Sequence, residues 1–330
     1  MALEKGIDKL VQEFIAAGRP SSRKQSIDDR RSGYVASTAL AGETETRVQV
    51  VTLVLEDMTF RVFSPFNAPE TLSCALYYHG GCFVSGGFET HDNQLRQLAF
   101  YGNCLVIAVQ YRLAPENTFP AAHDDAERAA DLVWQNAEQL GVDKNRITLC
   151  GDSAGGHLAL VTSLRLKAKG LWDPAQLILI YPMLDATASF ESYTLNGMDY
   201  VITRDTLLSG YEMYLAGADR QHPEVSPLWR NDFSGLPKVH IVTAEYDPLR
   251  DEGEALYQRL TEQGVKCTAQ RWRGVIHGFF QLGGISQSAR DVTRDIAWRI
   301  NHAGRECKGD YSSSFPPSSY APYGFAGRTI

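Results

Sequence analysis

The chain has 330 residues, 44% of them hydrophobic and 22% charged, enough apolar material for one large domain or two ordinary ones with a substantial core. A formal charge of −7 leaves no basic surplus to meet phosphates and argues against nucleic acid as a partner. The first eight residues carry charges where a signal peptide needs an apolar run, and no apolar stretch approaches the ~20 residues of a membrane span, so a cytoplasmic protein with no membrane partner is expected.

In chain order, Ile7, Leu10, Val11, Phe14 and Ile15 fall at helical spacing, and Gly18 and Pro20 end the run, which predicts an amphipathic helix over 7–17. Residues 19–46 are polar with little periodicity. β-type segments at 48–55 and 58–63 are separated only by Glu56-Asp57, the mark of a tight hairpin and an antiparallel edge. Six more, at 72–78, 104–110, 147–150, 176–181, 238–244 and 267–273, alternate with helical candidates at 91–101, 121–140, 154–169, 249–263 and 286–302. Runs such as Leu105-Val106-Ile107-Ala108-Val109 are apolar throughout, as strands covered on both faces must be. The class is therefore α/β, with a mostly parallel eight-stranded sheet flanked by helices.

One interval breaks the alternation. The stretch between 181 and 238 is rich in aromatics and Met and too long for a plain connection, so it reads as a mobile helical cap completed by the N-terminal helix. The division expected is 1–47 as the N-terminal part of the cap, 48–184 as core, 185–225 as cap insertion and 226–306 as core again. The Ser/Pro/Tyr-rich tail, 307–330, lacks any period and is expected to be disordered. The cysteines at 74, 82, 104, 150, 267 and 307 show no metal-ligand spacing, and neither metal nor cofactor is expected.

The chemistry is concentrated at strand ends. Gly151-Asp152-Ser153-Ala154-Gly155 lies between a β-type run and a helical one, the context in which G-x-S-x-G becomes a nucleophile elbow. His79-Gly80-Gly81-Cys82-Phe83 follows strand 72–78, Asp247 follows strand 238–244, and His277 comes shortly after strand 267–273. The order Ser153, Asp247, His277 is that of α/β-hydrolases. As the acid, Asp247 competes with Glu245, Asp251 and Glu252, and its place just past the strand and before Pro248 favours it. Among the other histidines, His157 lies inside the elbow helix, His240 sits in mid-strand, and His79 belongs to the loop it would brace.

These motifs resemble the hormone-sensitive-lipase-like esterases, the bacterial family IV carboxylesterases, over roughly residues 1–304. The resemblance rests on His79-Gly80-Gly81, Tyr111-Arg112-Leu113-Ala114-Pro115-Glu116, the run 151–156, Asp247-Pro248-Leu249 and His277-Gly278-Phe279. It implies an α/β-hydrolase core with a two-piece helical cap, and hydrolysis of small-molecule esters of short-to-medium acyl chains. Ser153 would attack, His277 would carry the proton, and Asp247 would orient the imidazole. Backbone N–H groups of Gly80, Gly81, Cys82 and Ala154 would form the oxyanion hole. Phe83, Phe88 and Tyr200 would line the pocket. Arg112 and Glu116 read as loop-pinning residues, and a homodimer through the last strand is the family habit. Cys82 stands where the motif usually carries a third glycine, and its thiol is expected to narrow the cleft and to react with thiol reagents. The alternatives are an amidase or peptidase on the same fold, and a non-catalytic ligand-binding homologue.

Overall fold

A computed structural model describes residues 2–305, so the tail 307–330 lies outside the described residues. Eight strands form a single sheet: β1 (Val48–Leu55), β2 (Met58–Pro65), β3 (Leu72–Tyr78), β4 (Leu105–Val109), β5 (Val142–Asp152), β6 (Gln176–Ile180), β7 (Lys238–Tyr246) and β8 (Cys267–Ile276). Their spatial order is β1-β2-β4-β3-β5-β6-β7-β8. The pairs β1–β2 and β2–β4 are antiparallel, and every later pair is parallel. Each strand lies at or close to the position its apolar run predicts.

The sheet divides the core into two. Side chains alternate along a strand, so Leu72, Cys74, Leu76 and Tyr78 of β3 join one apolar cluster while Ala75 and Tyr77 join the other. The first cluster packs under α4 (Ala121–Gln135), α5 (Ala154–Ala168) and α8 (Arg250–Glu262). The second packs under α3 (Phe88–Gly102), α9 (Gln287–Asn301) and the N-terminal α1 (Lys5–Ala16). Burial on both faces is why these strands read as continuous apolar runs, and each buried aliphatic side chain contributes about 1.5–3 kcal/mol.

The stretch 19–46, featureless in the sequence, contains α2 (Ile27–Ala36). Its signal is a cap rather than a periodicity: Ser26 Oγ accepts from the Asp29 N–H at 3.1 Å. The 185–225 insertion holds a single turn, α6 (Ser192–Leu195), and α7 (Arg204–Leu215). The N-terminal segment is bound to α7 through polar pairs. Arg23 spans Asp205 and Glu212, Ser22 meets Thr206 at 2.8 Å, and Arg30 donates to Ser209 at 3.1 Å. α1 sits elsewhere, beside β8, where the Glu4 N–H donates to the Gly274 carbonyl at 2.9 Å. Among the described residues no helix is long and apolar enough to cross a membrane.

This topology positions the site. β3 lies between β4 and β5, so successive connections leave it in opposite directions and open a crevice at the carboxyl ends of β3 and β5. The His79–Phe83 loop leaves β3 there, and Ser153 follows β5 directly.

Candidate active site

Ser153 occupies the turn between β5 and α5 with φ 54° and ψ −117°, a conformation that costs a non-glycine residue on the order of 1–3 kcal/mol. Hydrogen bonds hold the turn in place: the Ser153 N–H donates to the Ile180 carbonyl at 2.8 Å, and its own carbonyl accepts from Met183 N–H at 3.2 Å. A Cβ at Gly155 would collide with the Tyr78 carbonyl, which explains the glycine there.

Three side chains from distant segments meet at this turn. His277 Nε2 lies 3.1 Å from Ser153 Oγ, and His277 Nδ1 lies 2.8 Å from Asp247 Oδ2. Asp247 is fully buried, and its other oxygen accepts from the Leu249 N–H at 2.7 Å. Its backbone carbonyl accepts from Asn196 Nδ2 at 3.1 Å. The competing acids are engaged elsewhere: Glu245 with the Gly274 N–H, Asp251 with the Ser192 N–H and Glu252 with the Asp185 N–H. Tyr181 covers the imidazole, its ring centroid 4.6 Å from that of His277.

Of the remaining histidines, His79, His91, His123, His157 and His240 are buried, His302 is half-buried and His222 is exposed, and none is hydrogen-bonded to Ser153 Oγ. His79 stacks on Tyr111 at 4.2 Å, and Tyr111 Oη donates to the His79 carbonyl at 2.7 Å. Burial, with His91 nearby, lowers His79 to about 4. His123 and His157 face each other at 2.9 Å between Nε2 atoms. His240 meets Thr268 Oγ1 at 2.8 Å.

The loop after β3 departs from expectation at Gly80. The Gly80 N–H donates to Asp152 Oδ1 at 2.9 Å, so it is already committed and does not serve an oxyanion. Asp152, the elbow residue whose carboxylate the motif alone does not assign, also accepts from Tyr77 Oη at 2.8 Å and lies 3.0 Å from His91 Nε2. Burial alone would raise its carboxyl; the His91 ring and the Tyr77 hydroxyl more than offset this and hold it below the usual carboxylate range. Among the described residues, the N–H groups of Gly81, Cys82 and Ala154 have no hydrogen-bond partner.

Cys82 has φ 55°, so the position is one that glycine would occupy without strain. Its side chain does not stand free in a cleft. It packs against Gly210 of α7 and the Arg30 guanidinium, and burial pushes the thiol up, away from the reactive thiolate. The expected thiol sensitivity therefore has no physical basis in this fold.

Two of the three aromatics expected to line a pocket are otherwise occupied. Phe83, also at positive φ, turns into the core and is fully buried, stacked on Tyr214 at 4.1 Å. Phe88 opens α3 beneath the Arg61 guanidinium, 4.6 Å from its ring. Tyr200 is half-buried against Tyr246 at the end of β7, 4.9 Å between centroids. The Tyr111–Glu116 segment is tied down by ion pairs. Arg112 grips Asp125 at 2.7 Å, and Glu116 takes both amino groups of Arg31 on α2 at 2.7 Å. Arg31 Nε also donates to the Val84 carbonyl at 2.9 Å, fixing the loop after Cys82 to the N-terminal segment. Among the described residues no group of three or more His, Cys, Asp or Glu side chains is placed to hold a metal ion.

Comparison with known proteins points the same way as this geometry. A family model described as the α/β-hydrolase fold matches residues 75–281. The carboxylesterase NlhH of Mycobacterium tuberculosis is 35% identical over 243 residues, 72% of this chain and 76% of its own length. An ethyl acetate hydrolase of Pseudomonas putida is 34% identical over 292 residues, covering 85% of this chain and 92% of that protein. Among solved structures, the hyperthermophilic esterase of the archaeon Pyrobaculum calidifontis is 37% identical with a TM-score of 0.84, across 91% of this chain and 98% of that one.

Proposed function

Since the chain belongs to the hormone-sensitive-lipase-like carboxylesterases of the α/β-hydrolase fold, we propose that it cleaves short-to-medium acyl esters through an acyl-enzyme on Ser153. It is a carboxylic ester hydrolase. The observation that carries the mechanism is the continuous chain Ser153 Oγ, His277 Nε2, His277 Nδ1, Asp247 Oδ2, with links of 3.1 and 2.8 Å.

A serine hydroxyl is a poor nucleophile until a base takes its proton. His277 accepts that proton as Ser153 Oγ attacks the ester carbonyl, then passes it to the leaving alkoxide. Asp247, bonded to Nδ1, holds the tautomer that leaves Nε2 free to accept and stabilises the imidazolium. Water repeats the sequence on the acyl-enzyme. The tetrahedral oxyanion is met by the N–H groups of Gly81, Cys82 and Ala154, the last at the N-terminus of α5. Each such donor is worth about 3–4 kcal/mol in the transition state.

Of residues 1–47, the part that follows α1 acts with 185–225 as the cap over this site, a reading supported by the polar pairs that bind Ser22, Arg23 and Arg30 to α7. Tyr200 is the aromatic retained for the pocket wall. A homodimer through β8, the last strand of the sheet, and a cytoplasmic location complete the reading.

The test is a p-nitrophenyl ester series from C2 to C12 with a fluorophosphonate probe, on wild type and Ser153→Ala. Turnover falling off with chain length, and loss of both turnover and labelling in the variant, are expected. Absence of both probe labelling and ester turnover in wild type would instead favour a ligand-binding homologue, and faster turnover of matched amides an amidase.

A further inference from the structure

A cavity of about 170 Å³ opens between the N-terminal segment and α7, lined by Ser22, Ile27, Arg30, Ser209, Met213 and the mutually paired Arg23 and Glu212 among others, and it shares no residue with the hydrolytic triad. Arg30 is the residue in it that calls for an explanation. It is 9% exposed, yet its guanidinium meets only neutral groups: Ser209 Oγ at 3.1 Å, the Thr206 carbonyl at 3.4 Å and the Cys82 thiol. Among the described residues no carboxylate pairs with it. Arg23, on the same wall, is by contrast neutralised by Asp205 and Glu212.

A buried guanidinium without an anion is costly, and it keeps N–H donors to spare. The cavity supplies the space that an anion needs. Its volume is close to that of engineered cavities that accept a benzene, and it opens partly to solvent, so it suits a carboxylate on a short chain. Ile27 and Met213 offer the chain an apolar wall, and the Ser22 hydroxyl is a further polar partner at the same wall.

We propose that this cavity binds a small carboxylate, its oxygens meeting the Arg30 fork and its short chain lying along Ile27 and Met213. Arg30 also touches Cys82, whose N–H is one of the oxyanion donors assigned above, so occupancy is felt at the hydrolytic loop. The carboxylate has two chemical sources, a free acid such as the product of ester hydrolysis, or an acid group carried by the substrate itself. This coupling rests on the esterase reading, whereas the binding does not.

The experiment titrates sodium butyrate and sodium succinate into wild type and Arg30→Met, against sodium chloride at equal ionic strength. Thermal melting reports binding, and turnover of 4-nitrophenyl butyrate and mono-4-nitrophenyl succinate is followed in the same samples. A saturable rise in melting temperature is expected in wild type, with binding at least about tenfold weaker in the variant. A free-acid site shows as butyrate altering kcat on the neutral ester in wild type alone. A substrate-acid site shows as a loss of about tenfold or more in kcat/KM on the succinate ester, with the butyrate ester spared. Equal responses of wild type and Arg30→Met in melting and in both turnovers overturn the proposal. Should Arg30→Met not fold, Arg30→Lys keeps the charge without the planar fork, and undiminished binding there overturns it equally. Turnover of the neutral ester by wild type reports the esterase reading separately.

Discussion

Replacing Asp152 by Asn tests whether the oxyanion loop is held from beneath. The carboxylate accepts from the Gly80 N–H at 2.9 Å and from Tyr77 Oη at 2.8 Å, and lies 3.0 Å from His91 Nε2. Hydrogen bonds to a charged acceptor contribute about 1.5–3 kcal/mol each against about 0.5–1.5 kcal/mol for neutral ones, and all three contacts fall on one oxygen, Oδ1, which the amide carbonyl can replace. The contacts survive but lose the charge, at about 1 kcal/mol or more each, so destabilisation of about 2–4 kcal/mol is expected. At about 2 °C per kcal/mol for a chain of this size, the melting temperature falls by about 4–8 °C. Catalysis suffers more than binding, because the loop carries the Gly81 and Cys82 N–H groups. A displaced donor costs less than a deleted one, so kcat falls about 10–100-fold with KM little changed. Melting by circular dichroism and steady-state hydrolysis of 4-nitrophenyl butyrate measure the two effects. A variant with wild-type melting and wild-type kcat refutes the reasoning, because the buried carboxylate would then hold nothing.

Native protein treated with iodoacetamide is expected to keep its activity and to show no label at Cys82 by peptide mass spectrometry, since the thiol is buried against Gly210 and Arg30 and its pKa is raised; labelling in the folded state counts against that placement. Acid stability follows from His79, His157 and His240, each buried and lowered from 6.5 to about 4. The unfolded chain binds protons at these sites before the folded one does, so stability is full above about pH 6.5 and is lost as pH falls toward 4, by roughly 3 kcal/mol at most per histidine. Melting scans from pH 8 to pH 4 are expected to drop steeply below about pH 6, and a flat profile contradicts the burial.

The amino-acid sequence by itself determined the eight strands and the hairpin edge, because burial on both faces demands uninterrupted apolar runs that no other element needs. It also marked Ser153, Asp247 and His277, since each stands just beyond a strand in a short motif whose local geometry is dictated by neighbouring residues. α2 was missed in the polar stretch 19–46, because its stability comes from the Ser26 cap and from pairing with α7 and the loops rather than from its own periodicity. What only the tertiary structure decided is which polar groups are already taken. Gly80 and Gly81 are equivalent in the motif, but the Asp152 carboxylate reaches one N–H and not the other. Phe83 follows the same loop, and its positive φ sends the ring into the core rather than toward substrate. The solitary charge of Arg30 likewise exists only once Ser209, Thr206 and Cys82 have been folded around it. A motif constrains the backbone of a few neighbouring residues, whereas a hydrogen bond or a desolvated charge depends on partners far along the chain.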